Sequence, residues 1–284
     1  MATNAVLTPL AERPERADGI APAAHPGGRL LEGRRILVTG VLTKHSLAYG
    51  AAERMQELGA EVVLTGHGRS RRMTERAATM LPERPEVLEL DVLEPEDFES
   101  LAAALSDRWD SLDGVFHSIA WMPRDVWRDG FFNASQESLD ETLRASVFSF
   151  KSLTGALRPL LRRSPQGASL VTLTVMGGRH SRWYAWMGVA KAMLDAVTKQ
   201  MAVELAPERI RVNGIASGAV RTNAATGIPD FDRLEALFVD KAPLGWDARD
   251  TSVLAGPASF LMSDLARSMT GEILHVDGGF HAVL

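Results

Sequence analysis

Apolar residues along this chain follow two alternating rhythms. Short apolar runs ending at a glycine or turn residue alternate with longer stretches whose apolar positions recur every three or four residues. RRILVTG (34–40) is the first short run, and SLAYGAAERMQELGA (46–60) follows it. In that second segment Leu47, Ala51, Met55 and Leu58 share a helical face, and Gly59 supplies a stop. EVVLTG (61–66), a charged helix from about Ser70 to Leu81, and EVLELDV (86–92) come next. PEDFESLAAALSDRW opens on Pro95 with acids in its first turn, as helices commonly start. DGVFHSIA, ASLVTLTV, IRVNGIASG and EILHVDGG bring the predicted strands to about seven. Helical patterns at roughly 139–163, 183–205 and 251–263 separate the later ones.

Strands alternating with helices predict right-handed crossovers and the α/β class. The expected fold is one doubly wound parallel sheet with helices on both faces. Ligands bind such sheets beyond the carboxyl ends of the strands, so the chemistry should gather there. No internal repeat and no second compositional regime follows residue 33, which makes 33–284 a single expected domain. Residues 1–32 read as a disordered tail. ERPERADGIAPAAHPGGR is rich in Pro, Gly, Ala and charge, lacks periodicity, and cannot offset the entropy of ordering. No apolar core follows a basic start there, which argues against a secretory signal.

Composition narrows the function classes. The chain is 45% apolar and 24% charged, as soluble globular proteins are. Its net charge is −5, with acids and bases interspersed, so no basic stripe points to nucleic acid. No apolar run reaches the ~18 residues a membrane span needs. The absence of cysteine excludes disulfides, thiolate metal sites and a cysteine nucleophile. It suits a reducing cytoplasm, and no metal is expected.

Candidate chemistry sits where strands end. In VTGVLTKHSLAYG, Gly40 leaves the first strand and the next glycine is Gly50, so no G-x-G-x-x-G pattern is present. Gly40 still permits close backbone approach, and Ser46 and Leu47 stand where the helix begins, with amides suited to a pyrophosphate. The alternative is a tight turn with Ser46 as N-cap. The second strand ends in TGHGRSRR, where an acid would ordinarily bind the adenosine ribose. None follows; Arg69, Arg71 and Arg72 do. Either an arginine meets the 2′-phosphate of NADPH, or a basic helix start faces water. In LDV, Asp91 is able to cap the following turn. In HSIAWMP, the small residues after the fourth strand let a nucleotide lie against backbone, and Trp121 and Met122 are either simple core or, given their place after a strand end, directed toward a pocket.

YAWMGVAK (184–191) holds the main clue. Spacings of four and seven both put two side chains on one helical face. Met187 occupies the position four before Lys191, and Tyr184 lies one turn further, a displacement of about 4.5 Å. In a ketone reductase the carbon receiving hydride bears the developing oxyanion. In an enoyl thioester the hydride adds to the β-carbon and the charge appears on the carbonyl oxygen, two bonds along. A displaced phenol suits the second reaction.

Taken in order, Gly40 with Ser46-Leu47-Ala48, LTG (64–66), LDV (90–92), LDGVFHSIAWMP (112–123), YAWMGVAK, IRVNGIASGAVRTNA (210–224), KAPLGW (241–246) and TGEILHVDGG (270–279) resemble the enoyl-acyl-carrier-protein reductases. These are a divergent branch of the short-chain dehydrogenase/reductase superfamily, and the resemblance spans 33–284. It implies a Rossmann-type fold, NADH or NADPH as cofactor, an enoyl thioester on acyl carrier protein as substrate, and a homo-oligomer, a tetramer in this family. It places Gly40, Ser46, Leu47, His67, Asp91, Val92, Ser118, Ile119, Ala120, Lys191, Gly218, Val220 and Thr222 at the cofactor. Tyr184 and Lys191 become the catalytic pair, and Trp121, Met122, Val175, Tyr184 and Met187 line the acyl site. The segment 223–241 resembles a substrate loop with a helix.

The chain departs from the family pattern at three places. Ala120 stands where glycine is usual, Ala219 where proline is usual, and Val175 where an aromatic is common. Arg179, His180 and Arg182 make the loop before Tyr184 unusually basic, and Trp183 and Trp186 flank the tyrosine. Two rivals remain: a carbonyl reductase of the same superfamily, which Met187 disfavours, and a nucleotide-binding regulator without turnover.

Overall fold

The seven expected strands form and join one fully parallel sheet. They are β1 (Arg35–Val38), β2 (Glu61–Gly66), β3 (Val87–Glu89), β4 (Gly114–His117), β5 (Ala168–Thr174), β6 (Ile210–Ser217) and β7 (Ile273–Val276). Their spatial order is β3-β2-β1-β4-β5-β6-β7. This computed structural model describes residues 29–175 and 184–283. The strand order reverses between β1 and β4, where Val38 is the register partner of Phe116. A nucleotide crevice opens at such a reversal.

The helices are α1 (Leu47–Glu57), α2 (Gly68–Ala78), α3 (Pro95–Arg108), α4 (Arg124–Asp129), α5 (Gln136–Leu143), α6 (Ser149–Leu161), α7 (Ala185–Leu205), α8 (Phe231–Lys241) and α9 (Ala255–Met262). Alternation along β1 explains the two cores. Ile36 and Val38 join Met55 of α1 and Leu261 of α9 in one, and Leu37 joins Leu105, Phe150 and Leu194 in the other. With both faces covered, the strands read as continuous apolar runs. Each such side chain contributes about 1.5–3 kcal/mol when fully buried.

Three boundaries differ from the periodicity. The tail ends earlier than composition suggests: residues 29–33 form a turn, Leu31 is fully buried, and its amide donates to the Leu58 carbonyl at 2.8 Å. One apolar residue in the right place outweighs a polar neighbourhood. The rest of the expected tail lies outside the described residues. The helical pattern at 139–163 begins at Gln136 and contains a π-helical turn, Arg144–Phe148, between α5 and α6. Ser146 in that turn accepts from the Trp121 amide at 2.9 Å and donates to the Trp121 carbonyl at 2.8 Å, tying the strand-four loop to the helix. The last helix starts at Ala255, because residues 251–254 form a turn.

Candidate active site

At the reversal point β1 and β4 nearly touch. Gly40 has φ +83°, and a Cβ there would lie 1.9 Å from the Ser118 carbonyl oxygen. Only glycine fits both the conformation and the gap. The amide of Ser118 donates to the Thr39 hydroxyl at 3.1 Å, which fixes Ser118 against the first loop. Gly40→Ala should therefore destabilise the fold by at least about 3 kcal/mol and abolish nucleotide binding. Thermal melting and a nucleotide titration check this; a stable variant that binds normally would contradict it.

Ser46 is the residue before α1, but its side chain does not cap the helix. Its hydroxyl accepts from the amides of Leu42 and Thr43, at 3.0 and 3.1 Å, and so folds the loop that precedes the helix. The N-cap reading is corrected: Ser46 shapes the turn and leaves the helical amides open. Leu47 is half-buried against the first core.

His67 and Asp91 face each other at the ends of β2 and β3, with Nδ1 3.4 Å from the carboxylate. Asp91 also accepts from the Leu93 amide at 3.0 Å, the turn-capping role its position suggests. Val92 packs against the second core. Of the three arginines, Arg69 and Arg72 are exposed. Arg71 is engaged: it pairs with Glu89 at 2.9 Å and Glu75 at 3.1 Å, and donates to the Val87 carbonyl at 3.0 Å. Partial burial raises the Glu89 carboxyl, but hydrogen bonds from the Gly68 amide and Arg71 win, and hold it below the usual range.

The two catalytic candidates belong to one segment, Tyr184 just before α7 and Lys191 within it. Tyr184 packs against a third apolar cluster of Ala219, Phe231, Phe238 and Phe280. Ala185 follows at φ 41°, a conformation costing about 1–3 kcal/mol that fixes the exit of the tyrosine backbone. Burial pushes the Tyr184 hydroxyl up to about 12. Lys191 is buried two turns on, donating to the Leu173 carbonyl at 2.7 Å. Burial lowers its ammonium to about 8, against the attraction of Asp195, so it remains charged at neutral pH. His117, beneath them in β4, is fully buried with its nitrogens 3.1 Å from the Thr172 hydroxyl and 3.0 Å from that of Ser149. Burial and then the nearby Lys191 push it down to about 3, which keeps it neutral.

The loop after β6 is clamped from outside. A Cβ on Gly218 would reach within 2.6 Å of the Trp246 ring, whose Nε1 donates to the Ala219 carbonyl at 2.6 Å. Val220 is buried, and the Thr222 hydroxyl accepts from the Ala225 amide at 3.2 Å. Arg221 pairs with Asp232 and Glu235 of α8, anchoring that helix to the loop. The expected helix in 223–241 is thus present as α8, preceded by a short 3₁₀ turn at Ala225–Gly227. Phe238 stacks on Phe280 with centroids 3.8 Å apart.

Gly40, Ser118 and their neighbours, Lys191, Tyr184 and the Gly218–Thr222 loop all lie along the carboxyl ends of the strands. Ile119 is half-buried and Ala120 exposed in the loop that leaves β4. Trp121 is exposed and donates to Glu141 at 2.7 Å; Met122 is buried. Val175 is half-buried at the end of β5. Met187 does not join Tyr184: it packs against the second core, while the tyrosine meets the third cluster. Tyr184 stands before the helix and Ala185 has φ 41°, so the helical phase that aligns residues three apart does not extend back to the tyrosine. Arg179, His180, Arg182 and Trp183 lie outside the described residues.

Residues 40–281 match the family model described as enoyl-(acyl carrier protein) reductase. The chain belongs to the enoyl-acyl-carrier-protein reductases. The NADH enoyl-acyl-carrier-protein reductase FabI of Haemophilus influenzae is 40% identical over 254 residues, covering 88% of this chain and 95% of that one. FabI of Bacillus subtilis is 36% identical over 254 residues, covering 88% and 97%. Among solved structures, the Bacillus cereus enoyl-acyl carrier protein reductase with NADP+ and indole naphthyridinone superposes with a TM-score of 0.84. It is 33% identical, with 90% of this chain and 99% of that one covered. Within this enoyl-acyl-carrier-protein reductase, three residues around these segments escaped the sequence reading. Trp246 acts from a distant segment, and Glu89 looks like an ordinary strand residue. Asp195, whose carboxyl is raised chiefly by burial, lies one turn after Lys191. Only the i, i+4 spacing from Lys191 to Asp195 left a signal.

Proposed function

We propose that the chain reduces the trans-2 double bond of enoyl thioesters, carried on acyl carrier protein, with NADH or NADPH as reductant. The observation that carries this reading is the disposition of α7. Lys191 is buried and charged near the reversal point, and Tyr184 stands a turn further out, against the cluster formed with α8.

The residues fit a nicotinamide dinucleotide. The close approach of Gly40 to the Ser118 backbone brings the loops after β1 and β4 together, and the α1 amides beyond Ser46 and Leu47 suit its pyrophosphate. His67, Asp91 and Val92 would border the adenine, and Ser118, Ile119 and Ala120 the neighbouring ribose and phosphate. Gly218 and Val220 would hold the carboxamide through backbone groups, and the Thr222 hydroxyl, already accepting from Ala225, would donate to phosphate. When bound, this group supplies a hydride for the β-carbon of the substrate.

The protein's own part is electrostatic. As hydride adds, charge develops on the thioester oxygen, and the neutral Tyr184 phenol donates to it, which stabilises the enolate. The α-carbon then takes a proton from the tyrosine or from water. Lys191 would hydrogen-bond the ribose hydroxyls and place a positive charge near the developing anion. Trp121, Met122 and Val175 line the acyl path, and α8 excludes water from it. By family resemblance the chain works as a homo-oligomer, a tetramer in this family, and the cytoplasm is its proposed location.

Purified protein given crotonyl or longer enoyl thioesters should oxidise reduced nicotinamide, followed by loss of its absorbance. Turnover of a β-ketoacyl thioester alone would assign a carbonyl reductase. Nucleotide binding with no turnover of either substrate would assign a regulator.

A further inference from the structure

The acid missing after β2 is supplied by the neighbouring strand. Glu89 of β3 is the register partner of Gly66, the last residue of β2. Its carboxylate accepts from the Gly68 amide at 2.7 Å and from Arg71 at 2.9 Å. Gly68 is the first residue of α2, an eleven-residue helix. A helix-terminal amide and a nearby guanidinium are the partners a phosphate seeks at this place in the fold. Here one carboxylate already holds both. Arg71 is further committed to Glu75 and to the Val87 carbonyl, so three of its five donors are engaged within the protein.

We propose that Glu89 selects NADH over NADPH by occupying, as a built-in anion, the partners of the 2′-phosphate. This rests on the nicotinamide reading given above. A ribose hydroxyl has no charge to conflict with Glu89, and the carboxylate oxygens retain lone pairs to accept from it. A dianionic 2′-phosphate must approach a fixed negative charge and finds the Gly68 amide and Arg71 taken. At surface dielectric this repulsion is worth about a tenfold difference in affinity or more. Arg69 and Arg72 remain exposed and solvated, where they offset little of it.

Direct titration of NADH and NADPH, followed by nucleotide fluorescence, tests this without any turnover. Adenosine 2′,5′-bisphosphate against AMP serves as a second pair of probes. The protein should bind NADH at least about tenfold more tightly than NADPH. Glu89→Gln keeps an acceptor for the Gly68 amide and removes the charge. It should raise NADPH affinity about tenfold while moving NADH affinity less than about twofold. Arg71→Ala should cancel the gain in the Glu89→Gln background. A parent preference for NADPH, or an unchanged NADPH affinity in a Glu89→Gln protein that melts normally, would overturn the assignment. Failure of enoyl reduction alongside the expected binding pattern would sink the proposed reaction and leave this inference standing.

Discussion

Tyr184→Phe should lower enoyl thioester turnover by about 10²–10³-fold and leave NADH affinity within about twofold. Removing one oxyanion donor from a preorganised site typically costs that much in kcat. The ring stays, so its packing against Phe231, Phe238 and Phe280 is kept and the fold should melt normally. The chain has only two tyrosines, and the other, Tyr49, lies in α1 with its hydroxyl donating to the Met80 carbonyl at 2.9 Å. No second phenol is placed to substitute. Stopped-flow or steady-state kinetics beside a nucleotide titration separates the two effects, and a comparable loss in both would show that Tyr184 serves the cofactor.

Lys191→Ala should do the opposite, weakening cofactor binding about 10–100-fold, the worth of hydrogen bonds to a charged donor. Unchanged affinity would contradict the ribose assignment. The same group predicts a pH dependence. Burial lowers Lys191 from its ordinary 10.5 to about 8, so its charge disappears as pH rises through that value. Tyr184 keeps its proton to about 12, so the alkaline limb of kcat/KM belongs to the lysine. Stability moves the other way. Between about 8 and 10.5 the unfolded chain binds this proton and the folded one does not, so this group adds stability as pH rises. Activity should therefore fall through about 8 while the melting temperature does not. Lys191→Arg, which cannot lose its charge, should flatten that limb.

The sheet was legible because buried parallel strands are short unbroken apolar runs, as RRILVTG and ASLVTLTV show, and the helices between them keep a 3.6-residue period. The close approach at Gly40 was legible because a glycine leaving a strand marks it, whereas helix spacing singled out Tyr184 with Lys191 although the tyrosine stands just before α7. Other features depend on partners distant in sequence, which periodicity does not record. Nothing in EVLELDV marks Glu89 as the residue that meets Gly68, since only the β2–β3 register brings them together. The burial of Leu31 depends on a contact with Leu58 and could not be read from a polar, proline-rich neighbourhood. Ser46 looked like a cap by position, yet its hydroxyl satisfies amides on the other side. Met187 shares a face with Lys191, and that face meets the core.

The indole of Trp246 grips a loop from 27 positions downstream, where a proline would have stiffened that loop through its own ring. A covalent ring holds at any temperature, whereas a tertiary grip lasts only as long as the packing that supplies it. Warming or mild denaturant should loosen α8, the indole and the β6 exit as one cooperative unit, before the sheet opens. The stiffness of this exit would then turn on a single alanine, set between the two residues assigned to the nicotinamide carboxamide.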